Sequence, residues 1–117
     1  MRICIDIDGT ICQTRKPHET YLSVQPVINA VRALVELKKN DHYIILYTAR
    51  HMATCNHNIG QVLARQGKNL FMWLDLHNVP YDEIIFGKPL ADIYIDDKAY
   101  RFNDDWNKTI KEINKNV

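Results

Sequence analysis

The sequence predicts an α/β sandwich with a mainly parallel sheet. Three observations lead there. Four short strand-like runs, RICIDI (2–7), YIILY (43–47), EIIFG (83–87) and DIYID (92–96), are interleaved with stretches of helical periodicity. One run, YIILY, is apolar almost throughout, as expected of a parallel strand covered on both faces. Each run also delivers polar side chains at its carboxyl end, the edge at which open parallel sheets bind ligands.

The elements follow in order. RICIDI is short and rich in β-branched residues, and Gly9 marks its exit into a loop. Residues 10–23 carry Pro17 and many polar groups and read as an irregular flap. From about Gln25 to Lys39, Val27, Ile28, Val31, Leu34, Val35 and Leu37 recur at helical spacing, with Ser23 as expected N-cap and Pro26 in the first turn. Asn40-Asp41 is a turn into YIILY. Residues 52–78 are expected to be helical in two pieces, broken at Gly67 and ended by Val79-Pro80. Strands EIIFG and DIYID follow, and a polar helix begins near residue 104.

With 117 residues the chain suits a single domain over 1–117. It is 46% apolar and 25% charged, with a formal net charge of +1. Such a balance sets up no global field for nucleic acid or an anionic membrane, so neither is an expected partner. No apolar tract approaches the ~18 residues of a membrane span. The first residues enter a strand directly, without the pattern of a signal peptide. Cys4, Cys12 and Cys55 fit neither a disulfide framework nor a zinc site, which points to a reduced, cytoplasmic setting. Cys4 is expected to be buried, Cys12 and Cys55 exposed.

The chemistry lies at the strand ends. The first run closes in Asp6-Ile7-Asp8-Gly9-Thr10, the second in Thr48-Ala49-Arg50, the third in Gly87-Lys88-Pro89 and the fourth in Asp96-Asp97. Clustered carboxylates repel unless a cation lies between them. An all-oxygen set with two or three acids suits Mg²⁺, which keeps water and takes a substrate oxygen as a further ligand. A lysine and a threonine hydroxyl beside that cation describe a pocket for a phosphoryl group. One carboxylate can then attack phosphorus, and a second, two residues on, can move the proton. Taken singly, each motif has a plainer reading: a turn or cap for Asp6-Asp8 and Asp96-Asp97, a strand-end hydroxyl for Thr48, a solvated turn for Lys88. Their joint order along the chain favours a site. Thr10, Ala49 and Arg50 are candidate substrate contacts. Arg50 has a second reading, a structural ion pair with an acid. Arg15, Lys16 and His18 in the flap have two readings, substrate contact and a solvated flap, of which the second is favoured. His51, His57 and His77 form no zinc constellation.

These four motifs resemble those of the haloacid dehalogenase superfamily of phosphotransferases: DxDxT at Asp6–Thr10, Thr48, Lys88 and the acidic pair Asp96-Asp97, in order across residues 3–97. More narrowly, YTAR, NLFMWLDLHNVPYDEIIFGKP and YIDDKAYR are similar to short bacterial members labelled capsular or surface-polysaccharide biosynthesis phosphatases. The resemblance implies a three-layer sandwich with a Rossmann-like sheet and no separate cap domain. It implies Asp6 as nucleophile and metal ligand, and Asp8 as general acid/base with its carbonyl on the metal. Thr48 and Lys88 would hold the phosphoryl group, Asp97 would ligate Mg²⁺ directly, and Asp96 would support it. The expected substrate is a phosphorylated small molecule, a sugar phosphate or surface-glycan intermediate. A capless site is open, or is closed by a neighbouring subunit, and the apolar NLFMWL stretch suits a homo-oligomer. Two other classes stand beside this one. A signalling receiver domain uses similar groups, but its acidic pair, phosphorylated Asp and Lys come in another order. A non-catalytic assembly subunit of the same fold would not need the full residue set.

Overall fold

The computed structural model describes residues 1–116. Among them are three strands and three helices: β1 (Arg2–Asp6), α1 (Ala30–Lys39), β2 (Tyr43–Thr48), α2 (Ile59–Leu76), β3 (Glu83–Phe86) and α3 (Trp106–Asn114). The strands form one parallel sheet in the order β1-β2-β3. Asp6 lies beside Tyr47, and Thr48 beside Phe86, so the carboxyl ends of all three strands are level.

The core is built as the apolar periodicities dictate. On β2, Ile44, Leu46 and Thr48 are buried and the alternate positions are half-buried. One face of this strand is therefore sealed and the other only partly covered, where the run of apolar residues predicts cover on both. Helix α1 buries Ala30, Ala33, Leu34 and Leu37, the i, i+3, i+4, i+7 stripe of an amphipathic helix, and packs against β2 and α3. Helix α2 buries Val62, Leu70, Trp73 and Leu74 and packs against β3. The indole N–H of Trp73, buried in that helix, donates to the Val24 carbonyl at 2.8 Å, tying α2 to the end of the flap.

Four sequence expectations are corrected. Helix α1 begins at Ala30, not near Gln25, because Asn29 adopts a left-handed conformation (φ 66°) that no continuous helix admits. Ser23 and Thr20 instead close a turn on each other, and Pro26 pairs with Cys12 in an isolated bridge. Helix α2 is unbroken through Gly67, which is buried and leaves room: a Cβ there would meet Leu63 and Phe71 at ordinary contact distances of 3.7 and 3.9 Å. Its N-cap is Asn58, whose side chain accepts from the Gln61 N–H. The run DIYID at 92–96 is not a strand. It lies in a stretch, 89–101, in which every residue is exposed, Ile93 at 73% and Ile95 at 93%. Finally, Cys4 is the exposed cysteine, and Cys12 and Cys55 are buried. Among the described residues no helix is long and apolar enough to cross a membrane.

Asp82 fixes the register of the sheet at its other end. Its N–H donates to the Ile44 carbonyl at 2.9 Å, and its carboxylate accepts from the Ile44 N–H at 2.8 Å. Lys38 of α1 donates to the same carboxylate at 2.6 Å. The Lys38 hydrogen bond, then the Ile44 one, hold this carboxyl below its usual range. Its folded-state value is depressed, so its contribution exists above the unfolded value and is lost as pH falls through the folded one. Asp82→Ala should lower the midpoint of thermal unfolding at pH 7, and the gap to wild type should close below the ordinary aspartate range of about 3.9. Melting curves across pH 2–7 measure this.

Candidate anion-binding cleft at the strand ends

The loop after β1 is wound round one carbonyl. The N–H groups of Thr10, Ile11 and Cys12 all converge on the Ile7 oxygen at 2.9–3.1 Å, and Gly9 N–H donates to Cys12 at 2.7 Å. Such a tight loop needs a residue at positive φ, and Gly9 supplies it at 84°. Asp6 and Asp8 are thereby presented on either side of buried Ile7. A second anchor comes from α3, where the Trp106 indole N–H donates to the Thr10 carbonyl at 2.8 Å.

Lys88 reaches Asp6 from β3, across the end of β2. The Thr48 carbonyl accepts from both the Gly87 N–H (3.2 Å) and the Lys88 N–H (3.0 Å), which turns the chain back over β2. Gly87 makes that turn at φ 95°, against Ile59 of α2. The result is an ion pair between Lys88 Nζ and Asp6 Oδ1 at 3.3 Å, with the lysine 4.3 Å above the ring of Tyr94. Burial pushes the Asp6 carboxyl above its ordinary value, more than Lys88 lowers it.

Arg50 holds Asp8. Its Nη2 lies 2.8 Å from Asp8 Oδ1 and its Nε 3.2 Å from Oδ2, a two-point clamp. Arg50 has only 2% of its side chain exposed, and its guanidinium stacks 4.3 Å over Tyr21. Burial works against its charge, but the hydrogen bonds and charge of Asp8 outweigh that and raise its pKa. Cys12 lies under the same pair, donating to Asp8 at 3.3 Å. Burial first, then the Asp8 charge, push its thiol up to about 12, so it stays protonated.

These groups line an open cleft of about 450 Å³, in the range of small-molecule sites. Arg15, Arg50 and Lys88 set three positive charges against the two carboxylates, a balance that favours an anion. Of the sequence candidates, Asp6, Asp8, Ala49, Arg50 and Lys88 meet here. Arg50 makes the ion pair with an acid, Asp8, through Nη2 and Nε, while it also lines the cleft and its Nη1 has no partner among the described residues. Thr48 lies buried beneath the cleft, its hydroxyl accepting from the Arg50 N–H at 3.0 Å, so it sets the Arg50 backbone and does not face the opening. Thr10 does not line the cleft either. Among the flap residues read as solvated, Arg15 lines it, whereas Lys16 and His18 do not.

Sequence reasoning missed Thr14, Tyr21 and His51 on the cleft wall. His51 follows Arg50 and packs edge-on against Tyr21 at 5.2 Å. Burial, then the Arg50 charge, push its pKa down. The only signal for it was adjacency to the second strand end. Asp96 and Asp97 are not in the cleft: both are exposed, and Asp96 caps its own turn by accepting from the Lys98 N–H at 2.7 Å. Among the described residues no three His, Cys, Asp or Glu side chains are grouped to hold a metal ion. The acidic side chains that line the cleft are Asp6, paired with Lys88, and Asp8, paired with Arg50.

Fold and cleft together define a parallel α/β domain with an open, charged cleft at its strand ends. No protein-family model matches the chain, and no curated protein does. It is similar to a protein from Vibrio cholerae whose crystal structure is described only as that of an MCSG target. The identity is 31%, covering 96% of this chain and 98% of that one, with a TM-score of 0.79. The chain belongs to the same family as that Vibrio cholerae protein.

Two expectations follow from the geometry. Gly87→Ala should destabilise by about 1–3 kcal/mol, since it forces a Cβ into a left-handed position and to 2.5 Å from Ile59; denaturant titration measures it. Asp6 has a raised folded-state pKa, so its contribution to stability is fully present below the unfolded value and lost as pH rises through the folded one. Asp6→Asn should therefore melt above wild type at pH 7 without added ligand, an advantage that disappears below about pH 3.9. Calorimetry at the two pH values reads both signs.

Proposed function

We propose that the chain is a phosphohydrolase of the haloacid dehalogenase superfamily that works through an aspartyl-phosphate on Asp6. One observation carries the reading: the carboxylate of Asp6, at the carboxyl end of a parallel strand, lies 3.3 Å from Lys88, which a glycine turn brings across an intervening strand. A desolvated carboxylate beside a cation, on the wall of a positively balanced cleft, suits attack on a phosphate monoester.

In this reading the ester phosphate enters between Lys88 and Arg15. Lys88 takes charge off the phosphate oxygens. An oxygen of Asp6 attacks phosphorus, the phosphorus–oxygen bond to the alcohol breaks, and the alcohol oxygen takes a proton from Asp8. Water then attacks the phosphoryl-aspartate and gives its proton back to Asp8, so that inorganic phosphate leaves and Asp6 is restored. Arg50 is a positioning residue: its clamp fixes the direction in which Asp8 points. Mg²⁺ is the cation proposed to neutralise the assembled charge, and Asp6 with the backbone carbonyl of Asp8 would hold it. The open cleft, without a cap domain, accepts a phosphorylated small molecule such as a sugar phosphate or a surface-glycan intermediate. The chain is proposed to act in the cytoplasm.

The test is hydrolysis of p-nitrophenyl phosphate with and without Mg²⁺. Wild type should turn over with Mg²⁺ present. Asp6→Asn should fall to background, Asp8→Asn should lose about 10²–10⁴-fold, and Lys88→Ala about 10²–10³-fold. Wild-type rates in Asp6→Asn would refute the nucleophile. A wild-type protein inert toward a panel of phosphate monoesters would favour an assembly subunit of the same fold.

A further inference from the structure

The arm formed by residues 89–101 is exposed throughout, yet it carries Leu90, Ile93, Tyr94, Ile95 and Tyr100. Its centre, IYI, has strand composition and no strand beside it. The outer edge of β1 is the complementary feature. Among the described residues β1 pairs with β2 alone, so its other side offers unpaired backbone N–H and C=O groups. β1 spans five residues and DIYID is five residues long. Both end in aspartate, Asp6 on one and Asp96-Asp97 on the other.

A chain cannot bring its own arm to that edge in parallel. Five residues, 87–91, separate the end of β3 from DIYID. A parallel connection needs a dozen or more residues. The foot of the outer position lies roughly 21 Å away through the sheet itself, three strand spacings across and one strand length down. The six Cα steps from Phe86 to Asp92 reach about 20–22 Å fully extended, which leaves no slack for a path round the sheet. Antiparallel pairing within the chain is no help, since it carries Asp96-Asp97 to the opposite end from Asp6. A second copy removes the obstacle. In a two-fold pair with oppositely directed sheets, an arm leaving one cleft begins at the foot of the partner's β1 and runs parallel to it.

We infer that two copies of this chain exchange arms: residues 92–96 of each add as a fourth strand to the free edge of β1 of the other, and deliver Asp96 and Asp97 to its cleft. The exchange buries the exposed isoleucines, closes the sheet edge and adds further acids to Asp6 and Asp8. The class of ligand is a divalent cation held between the two chains, with the phosphate ester beside it. This part rests on the phosphatase reading; the exchange itself does not.

Two measurements separate them. With Asp6 and Asp96 level, Tyr94 of one chain falls beside Cys4 of the other, and Cys4 is exposed. Tyr94→Cys should therefore oxidise to a covalent dimer on a non-reducing gel, and wild type should sediment at twice 13.7 kDa. A monomer, or a disulfide closed within one chain, overturns the exchange whatever the activity. Delivery of the acids is read by mixing Asp6→Asn with an Asp96→Asn, Asp97→Asn double variant and refolding them together. Each is dead alone, but a mixed pair contains one intact site, so about a quarter of wild-type activity per chain should return. No recovery, with wild type active, overturns delivery in trans. A wild type without turnover sinks the phosphatase reading alone, and the cross-link still decides the exchange.

Discussion

The carbonyl oxygen of Thr48 holds the cleft together. β3 and β1 are not neighbours; β2 lies between them. A lysine leaving β3 meets an aspartate leaving β1 only if the chain is folded back over the end of β2. Two hydrogen bonds, from Gly87 and Lys88 to that one oxygen, do this. They use an acceptor at the last residue of β2, where the parallel ladder has no further partner to offer. The left-handed Gly87 makes the geometry possible, and Ile59 beneath it leaves no space for a side chain. The Asp6–Lys88 pair is thus a consequence of backbone hydrogen bonding, with the charges brought together by a turn rather than by their own attraction.

A similar division of labour explains the other half of the cleft. Asp8 is oriented by Arg50, Arg50 is stacked on Tyr21 and braced from below by Thr48 through its own N–H, and the DxD loop is wound on the Ile7 carbonyl. Few of these contacts are exposed, so their electrostatic strength is little diluted by water. Burial disfavours the charge of Asp6 and of Arg50 alike, and the partner outweighs burial only at Arg50. The cleft therefore holds a well-compensated positioning pair next to an under-compensated carboxylate. A group in that second state gains most from an added positive charge.

What was legible in the sequence was what local rules decide. β1, β2 and β3 follow from short β-branched runs, and Asp6, Asp8 and Lys88 from the levelling of parallel strand ends. The start of α1 was misplaced because periodicity continues through Val27 and Ile28, and only the left-handed backbone at Asn29 shows that the helix has not begun. Gly67 read as a break because glycine weakens an isolated helix by about 1 kcal/mol; packing of α2 along its Val62, Leu70, Trp73 and Leu74 face overrides so small a cost. The cysteines were inverted for a related reason. Cys4 was judged by membership of a strand, but β1 is an edge strand, and edge position depends on sheet order, which no local pattern carries.

DIYID is the instructive case. Its composition is as strand-like as that of EIIF, and its aspartates continue the motif order. A strand, however, is a property of a pair: without a partner the backbone N–H and C=O groups are left to water, and no local preference replaces the ladder. EIIF finds β2 one helical crossover away, because α2 provides the length for a parallel return. Between EIIF and DIYID there is no such helix. Spacing of this kind is written in the sequence as plainly as any motif, and it sets a limit on topology independent of composition: eight residues from Lys88 to Asp96 cannot contain a strand, a crossover and the turns between them. The same two motifs that suggest a common pocket are therefore too close in sequence for a parallel crossover to lie between them.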